Sequence, residues 1–138
     1  MGDSEKTVWG IHAGRTGDAN ALFLKKNFIA LGWSEMGDLS KLRPDREAFK
    51  AKVAKCWPDW KPAKIPNSAG QLFRFVHEMK VGDIVVYPSK QNRHVNIGHV
   101  EGNYKYDPNL EPGYPNLRAV KWLRSLPRTY FKAGGSAS

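Results

Sequence analysis

The stretch Met79-Lys80-Val81-Gly82-Asp83-Ile84-Val85-Val86-Tyr87-Pro88-Ser89 constrains this chain more than any other. Ile84, Val85 and Val86 run without a polar break, as in a strand covered on both faces. The sequence therefore predicts a central strand over Asp83 to Tyr87. Gly82-Asp83 is a turn pair in front of it, and Pro88-Ser89 leads into a polar loop. A helical pattern precedes it: Leu72, Phe73, Val76 and Met79 form an apolar stripe, and Ser68 with Gln71 has the spacing of a capping box that would start that helix. A central strand needs partners, so the rest of the chain must supply them.

Thr7 to His12 reads as a first strand, with Val8 and Trp9 on opposite faces. Ala13-Gly14-Arg15-Thr16-Gly17 is a loop, and Asp18 is a candidate N-cap for a helix over Ala19 to Asn27 that buries Leu22 and Phe23. Phe28 to Trp33 returns as a strand broken by Gly32. Pro44-Asp45 opens a helix in which Phe49, Val53 and Trp57 share a face. Pro58 to Pro66, with three prolines, is expected to be irregular. Val95 to Tyr106 reads as a bent strand or a hairpin, Asp107 to Asn116 as a loop, and Leu117 to Leu126 as a last strand. Strands at both ends with helices between them predict an α+β chain: a small curved β-barrel with two or three helices packed outside. Residues 1–132 are expected to form one domain, and 133–138 a disordered tail or linker.

The 138 residues carry a formal charge of +9, and that excess favours polyanions. Arg118, Lys121, Arg124, Arg128 and Lys132 follow Glu111 with no acid among them. No apolar run reaches the roughly 20 residues of a membrane span, and Met1 to Lys6 lacks the apolar core of a signal peptide. The one cysteine, Cys56, excludes an intrachain disulfide and an all-cysteine metal site, so a cytoplasmic, reducing compartment is expected.

Five tryptophans are many for this length. Core packing accounts for Trp57 and Trp122. Trp33 differs: it follows Gly32, ends a strand and precedes polar Ser34-Glu35, a setting suited to stacking a base. Between two strands, Ser89-Lys90-Gln91-Asn92-Arg93-His94 gathers donors that could hold phosphate with Lys90 and Arg93 and a base edge with Gln91 or Asn92.

Taken together, these elements resemble the PUA-like superfamily, in particular its EVE and YTH branches. Trp9-Gly10-Ile11-His12, the loop to Asp18, a helix and Leu31-Gly32-Trp33-Ser34 are similar to the first half of a YTH domain. Lys80-Val81-Gly82-Asp83, Tyr87-Pro88-Ser89, Ile97-Gly98-His99-Val100 and Tyr106-Asp107-Pro108 resemble an EVE domain. The whole chain is also similar to N-terminal modules of Mrr-type restriction proteins, in which a nuclease domain follows. The resemblance implies a non-catalytic module that reads a modified, methylated base in DNA, flipped into an aromatic pocket, for an effector nuclease domain in the same or another chain. It implies base contacts from Trp33, Trp9, Asp18, Ser34, Tyr87 and Ser89. Backbone contacts would come from Lys90, Arg93, His94 and Arg15. The family's second cage tryptophan has no clear match; Tyr104, Tyr106 and Tyr114 are possible substitutes.

Three rivals stand beside this reading: an RNA-binding module, a small metal-dependent nuclease and a sensor of free nucleotides. The nuclease reading rests on Pro58-Asp59 with Glu78-Met79-Lys80, but that site needs its carboxylates on adjacent strand ends, whereas Glu78 falls at a helix end. His12, His77, His94 and His99 have no helical i, i+4 pairing, Cys56 falls beside an apolar helix face, and Ser34 and Ser89 lack an elbow glycine pattern. No catalytic residue, cofactor or metal is therefore expected.

Overall fold

A computed structural model describes residues 6–14 and 17–129. The fold is mixed α+β, with three helices and a curled half-barrel sheet. The strands are β1 (Val8–Gly10), β2 (Phe28–Leu31), β3 (Ile84–Pro88), β4 (His94–Val100), β5 (Lys105–Tyr106) and β6 (Asn116–Pro127); the helices are α1 (Asn20–Lys26), α2 (Arg46–Cys56) and α3 (Lys64–Phe73). The chain divides into two compact units. Among the described residues, a sheet unit comprises 6–14, 17–30, 81–102 and 118–129, and a helical unit comprises 31–80 and 103–117. The expected tail, 133–138, lies outside the described residues, as do Arg15 and Lys132. No helix among the described residues is long and apolar enough to cross a membrane.

In the sheet unit the strand order is β1-β3-β4-β6-β2. The Ile-Val-Val strand is central, paired in parallel with β1 and antiparallel with β4. Val85 and Tyr87 are buried on one face, while Ile84 and Val86 are half-buried on the other. Gly82 takes φ +97°, a conformation that suits glycine, and its N–H donates to the Val100 carbonyl at 2.8 Å. The Gly-Asp turn is thus tied to the end of β4. Between β4 and β6 the register slips: Ile97 faces Arg124 and Gly98 faces Trp122, leaving Leu123 as an extra, exposed residue. A Cβ on Gly98 would lie 2.4 Å from the Lys121 carbonyl oxygen, so the bulge requires glycine there. Trp122 is half-buried and donates its indole N–H to the Phe23 carbonyl at 2.8 Å.

The helical unit packs Met36, Leu39, Phe49, Val53, Ala69 and Leu72 into an apolar cluster. Asp45 caps α2 through the Ala48 N–H at 2.7 Å, and Phe49 and Val53 point inward as their spacing predicts. β5 pairs with the start of β6, Lys105 facing Leu117.

Three local expectations are corrected. Asp18 does not cap α1: Ala19 precedes the helix without a side-chain cap, and Asp18 sits exposed in the turn before it. The capping-box reading of Ser68 fails, because α3 already begins at Lys64 and Ser68 is buried within it. Pro66 is tolerated because first-turn N–H groups have no intrahelical acceptor. Finally, α3 runs into a π turn over Arg74–Glu78, closed by Met79 N–H donating to the Arg74 carbonyl at 2.8 Å. Its extra residue brings Phe75 into the buried set with Leu72 and Met79.

Candidate nucleic-acid interface

Tyr87 lies near the end of β3 and Ser89 directly after it, two residues on. Both are buried, and both donate a hydroxyl to Oδ1 of Asn20, the first residue of α1; the Ser89 bond is 2.8 Å. Ser89 Oγ also accepts from the N–H groups of Gln91 and Asn92, each at 3.2 Å, and the Arg93 N–H donates to the Ser89 carbonyl at 3.1 Å. One buried serine therefore closes the turn. Lys90, Gln91, Asn92 and Arg93 are left exposed on it. Arg93 is held at φ +60°, and its carbonyl accepts from the Arg128 N–H at 3.1 Å. His94 Nδ1 lies 2.8 Å from Ser125 Oγ, which ties that ring to β6. A Cβ on Gly17 would fall 2.7 Å from Gln91 Oε1, so the loop before α1 packs directly on this turn. Asp18 and the Ser89 loop are thereby neighbours in one unit. Burial raises the Tyr87 hydroxyl above its ordinary pKa, which keeps it a donor.

Trp9 ties two strands together. Its indole N–H donates to Asp83 Oδ2 at 2.9 Å, joining β1 to the start of β3. The Asp83 carboxylate also favours the charged form of Arg118, whose guanidinium burial pulls down. Arg118 is 2% exposed and donates through Nε to the Gly102 carbonyl at 2.8 Å, so it is removed from the basic surface counted in the sequence. Lys121, Arg124 and Arg128 stay exposed.

Trp33 and Ser34 belong to the helical unit. Trp33 does not end a strand; it precedes a short 3-10 turn over Ser34–Met36 and takes φ +52°, in the left-handed region. The indole is half-buried against the apolar cluster, and Ser34 is exposed. Of the candidate substitute aromatics, Tyr104 has its hydroxyl fully engaged: it accepts from Leu39 N–H at 3.1 Å and donates to Asn116 Oδ1 at 2.6 Å. Burial pushes this hydroxyl up to about 12. Tyr114 packs beside Gly32, next to Trp33 in the chain.

A family model described as a domain of unknown function (DUF8426) matches residues 9–133. The chain belongs to this family. No curated protein matches it, and neither does any solved structure. The span assigned to DUF8426 takes in Trp9, Asn20, Trp33 and the whole Ser89 loop.

Among the described residues of this DUF8426 chain, no group of three or more His, Cys, Asp or Glu side chains could hold a metal ion. Glu78 lies at the end of the π turn and pairs with Arg46 at 3.0 Å. Cys56 is half-buried against the apolar cluster. Three residues with structural roles gave little sign of them in the sequence. Asn20 could have been suspected from the spacing of Tyr87 and Ser89, whose hydroxyls need a common polar partner. Asp83 and Arg118 carry no comparable signal.

Proposed function

We propose that this chain is a non-catalytic nucleic-acid-binding module. In this reading the Ser89 loop of the sheet unit grips the backbone, and Trp33, considered by itself in the helical unit, is a candidate for stacking a base. The observation that carries it concerns backbone conformation. Among the described residues, three other than glycine take positive φ: Asn27, Trp33 and Arg93. Asn27 is an ordinary left-handed helix C-cap. Trp33 and Arg93 are among the residues that side-chain chemistry alone nominates for stacking and for phosphate. Such conformations cost about 1–3 kcal/mol and cluster at functional sites. The closed turn around Ser89 adds support, because Lys90 and Arg93 are presented by a backbone already fixed. Preference for a methylated base in DNA, a PUA-like relationship and an effector nuclease as partner extend this reading from the resemblance of the sequence.

The test is a titration of matched DNA and RNA oligonucleotides, with and without methylated bases, at several salt concentrations. Lys90→Ala with Arg93→Ala should weaken all strands alike and flatten the slope of log affinity against log salt by about 0.9 per lost duplex contact. An unchanged slope removes the loop from the interface. Trp33→Ala should cost about 1–3 kcal/mol of binding, more for modified strands, with a near-normal melt. A large fall in Tm with unchanged affinity per folded molecule makes Trp33 a packing residue. Tighter binding of RNA than of DNA would move the module to the RNA class.

A further inference from the structure

The helical unit holds an aromatic column that the reading above does not use. After α2 ends, the chain makes two successive turns: Trp60 N–H donates to the Trp57 carbonyl at 3.1 Å, and Lys64 N–H to the Lys61 carbonyl at 2.9 Å. The first turn lays the Trp57 and Trp60 indoles face to face, with centroids 4.5 Å apart and planes 7° from parallel. Lys64 then crosses over, placing Nζ 3.8 Å from the Trp60 ring centroid. A 4.5 Å gap admits no ammonium, so Lys64 covers the face of Trp60 that is turned away from Trp57. Both indoles are half-buried beside the apolar cluster, while Lys61 and Lys64 are exposed. A cleft of about 570 Å³ opens beside them, lined by Asp59, Trp60, Lys61, Ala63 and Lys64.

We propose that Trp60 is a stacking platform for a nucleobase of a single strand, with Lys61 and Lys64 taking the adjacent phosphates. Parallel stacking is the arrangement that continues when another planar ring is added. The outer face carries only the tip of a flexible, strongly hydrated side chain, which a base can displace. Lys64 is then released at the cleft rim, where its charge and that of Lys61 outweigh Asp59. Asp59 can accept from the amino edge of a base. This is a second site, and it rests on the nucleic-acid reading only for its class of ligand.

Anisotropy of a labelled single strand of fifteen thymidines tests it, with an abasic strand of the same length and poly-glutamate as further probes. Trp60→Ala should lose about tenfold in affinity, and Trp60→Phe much less. Lys61→Ala with Lys64→Ala should flatten the salt slope by about 1.4, at roughly 0.7 per phosphate on a single strand. The abasic strand should bind about tenfold more weakly than thymidine. Near-UV circular dichroism of the stacked indoles reports whether the lysine variants keep the column. Should Trp60→Ala not fold, exposed Lys64→Glu decides: a loss of about tenfold is expected, and wild-type affinity overturns the site. The proposal also fails if Trp60→Ala binds within twofold of wild type, or if the abasic strand or poly-glutamate binds as well as thymidine. Lys90→Ala with Arg93→Ala in the same assay keeps the two readings apart, since loss there with none at Trp60 sinks this inference alone.

Discussion

Among the described residues, the buried polar side chains of the sheet unit are Asp83, Ser89, Asn96 and Arg118, beside an apolar set that includes Phe23, Ile29 and Val85; those of the helical unit are Ser68 and Asn116 alone, beside an apolar set that includes Met36, Leu39, Phe49, Val53, Leu72 and Phe75. Among the described residues no buried side-chain nitrogen or oxygen lacks a hydrogen-bond partner. The sheet unit is therefore held at several points by directional bonds. The helical unit depends more on packing, which is non-directional. The difference matters for the candidate sites. A loop that must present Lys90 and Arg93 in one geometry is pinned by hydroxyl and amide bonds around Ser89. A stack such as Trp57 on Trp60 needs only contact area and a flat neighbour.

The largest test of this contrast is Asp83→Ala. It removes the acceptor of the Trp9 indole N–H and a carboxylate that favours the charged form of the buried Arg118 guanidinium, and should cost about 3–5 kcal/mol in urea unfolding. Adding Arg118→Met should recover a good part of that loss, because the buried charge that the Asp83 carboxylate favours is then removed as well. Phe49→Ala in the helical unit should cost about as much by opening a cavity, and no second substitution of this kind would rescue it. If Asp83→Ala loses less than about 1 kcal/mol, the account of the sheet unit is wrong.

Asn20→Ala comes next. It strands the Tyr87 and Ser89 hydroxyls and should cost about 1–3 kcal/mol. Hydrogen exchange should rise at the Gln91 and Asn92 amides. Unchanged exchange would show that Ser89 holds the turn without Asn20.

Alkaline pH sharpens the comparison further. With its hydroxyl pushed up to about 12 by burial, folded Tyr104 keeps its proton where an unfolded tyrosine, near 10, has lost it. Its contribution to stability is full below about pH 10 and is lost as pH rises toward about 12. Melting temperature should fall over that window, and Tyr104→Phe should flatten the fall. Tyr87, also raised by burial, accounts for part of what remains. A fall of equal steepness in Tyr104→Phe would assign it to other groups.

The smallest effect is expected at Glu78. Its ion pair with Arg46 is 43% exposed on each side, so Glu78→Ala should change stability by about 0–1 kcal/mol. The same variant should bind oligonucleotides as wild type does. Cleavage of DNA with magnesium or manganese that disappears in Glu78→Ala would restore the nuclease reading.

Much of the architecture was legible. The continuous Ile84-Val85-Val86 run marked the centre of the sheet, and the Phe49 and Val53 spacing marked the buried face of α2. Local signals failed where a neighbour overrode them. The Ser68 capping box was overtaken by a helix that began earlier, and the π turn moved Phe75 inward. At the candidate interface, the exposed loop was readable from its composition. Its anchor was not, since Asn20 lies 69 residues from Ser89 in the chain.

The sequence by itself determined the α+β class, the order of most elements and the positive charge, because periodicity, turn chemistry and charge are properties of short segments. Only the tertiary structure decided that Arg118 is interior, that Trp9 spends its N–H on Asp83, that buried Ser89 pins an exposed loop, and that Trp57 and Trp60 stack under a lysine. Burial of a polar group depends on whether a partner remote in the chain is there to satisfy it, and a sequence read segment by segment carries no record of that partner.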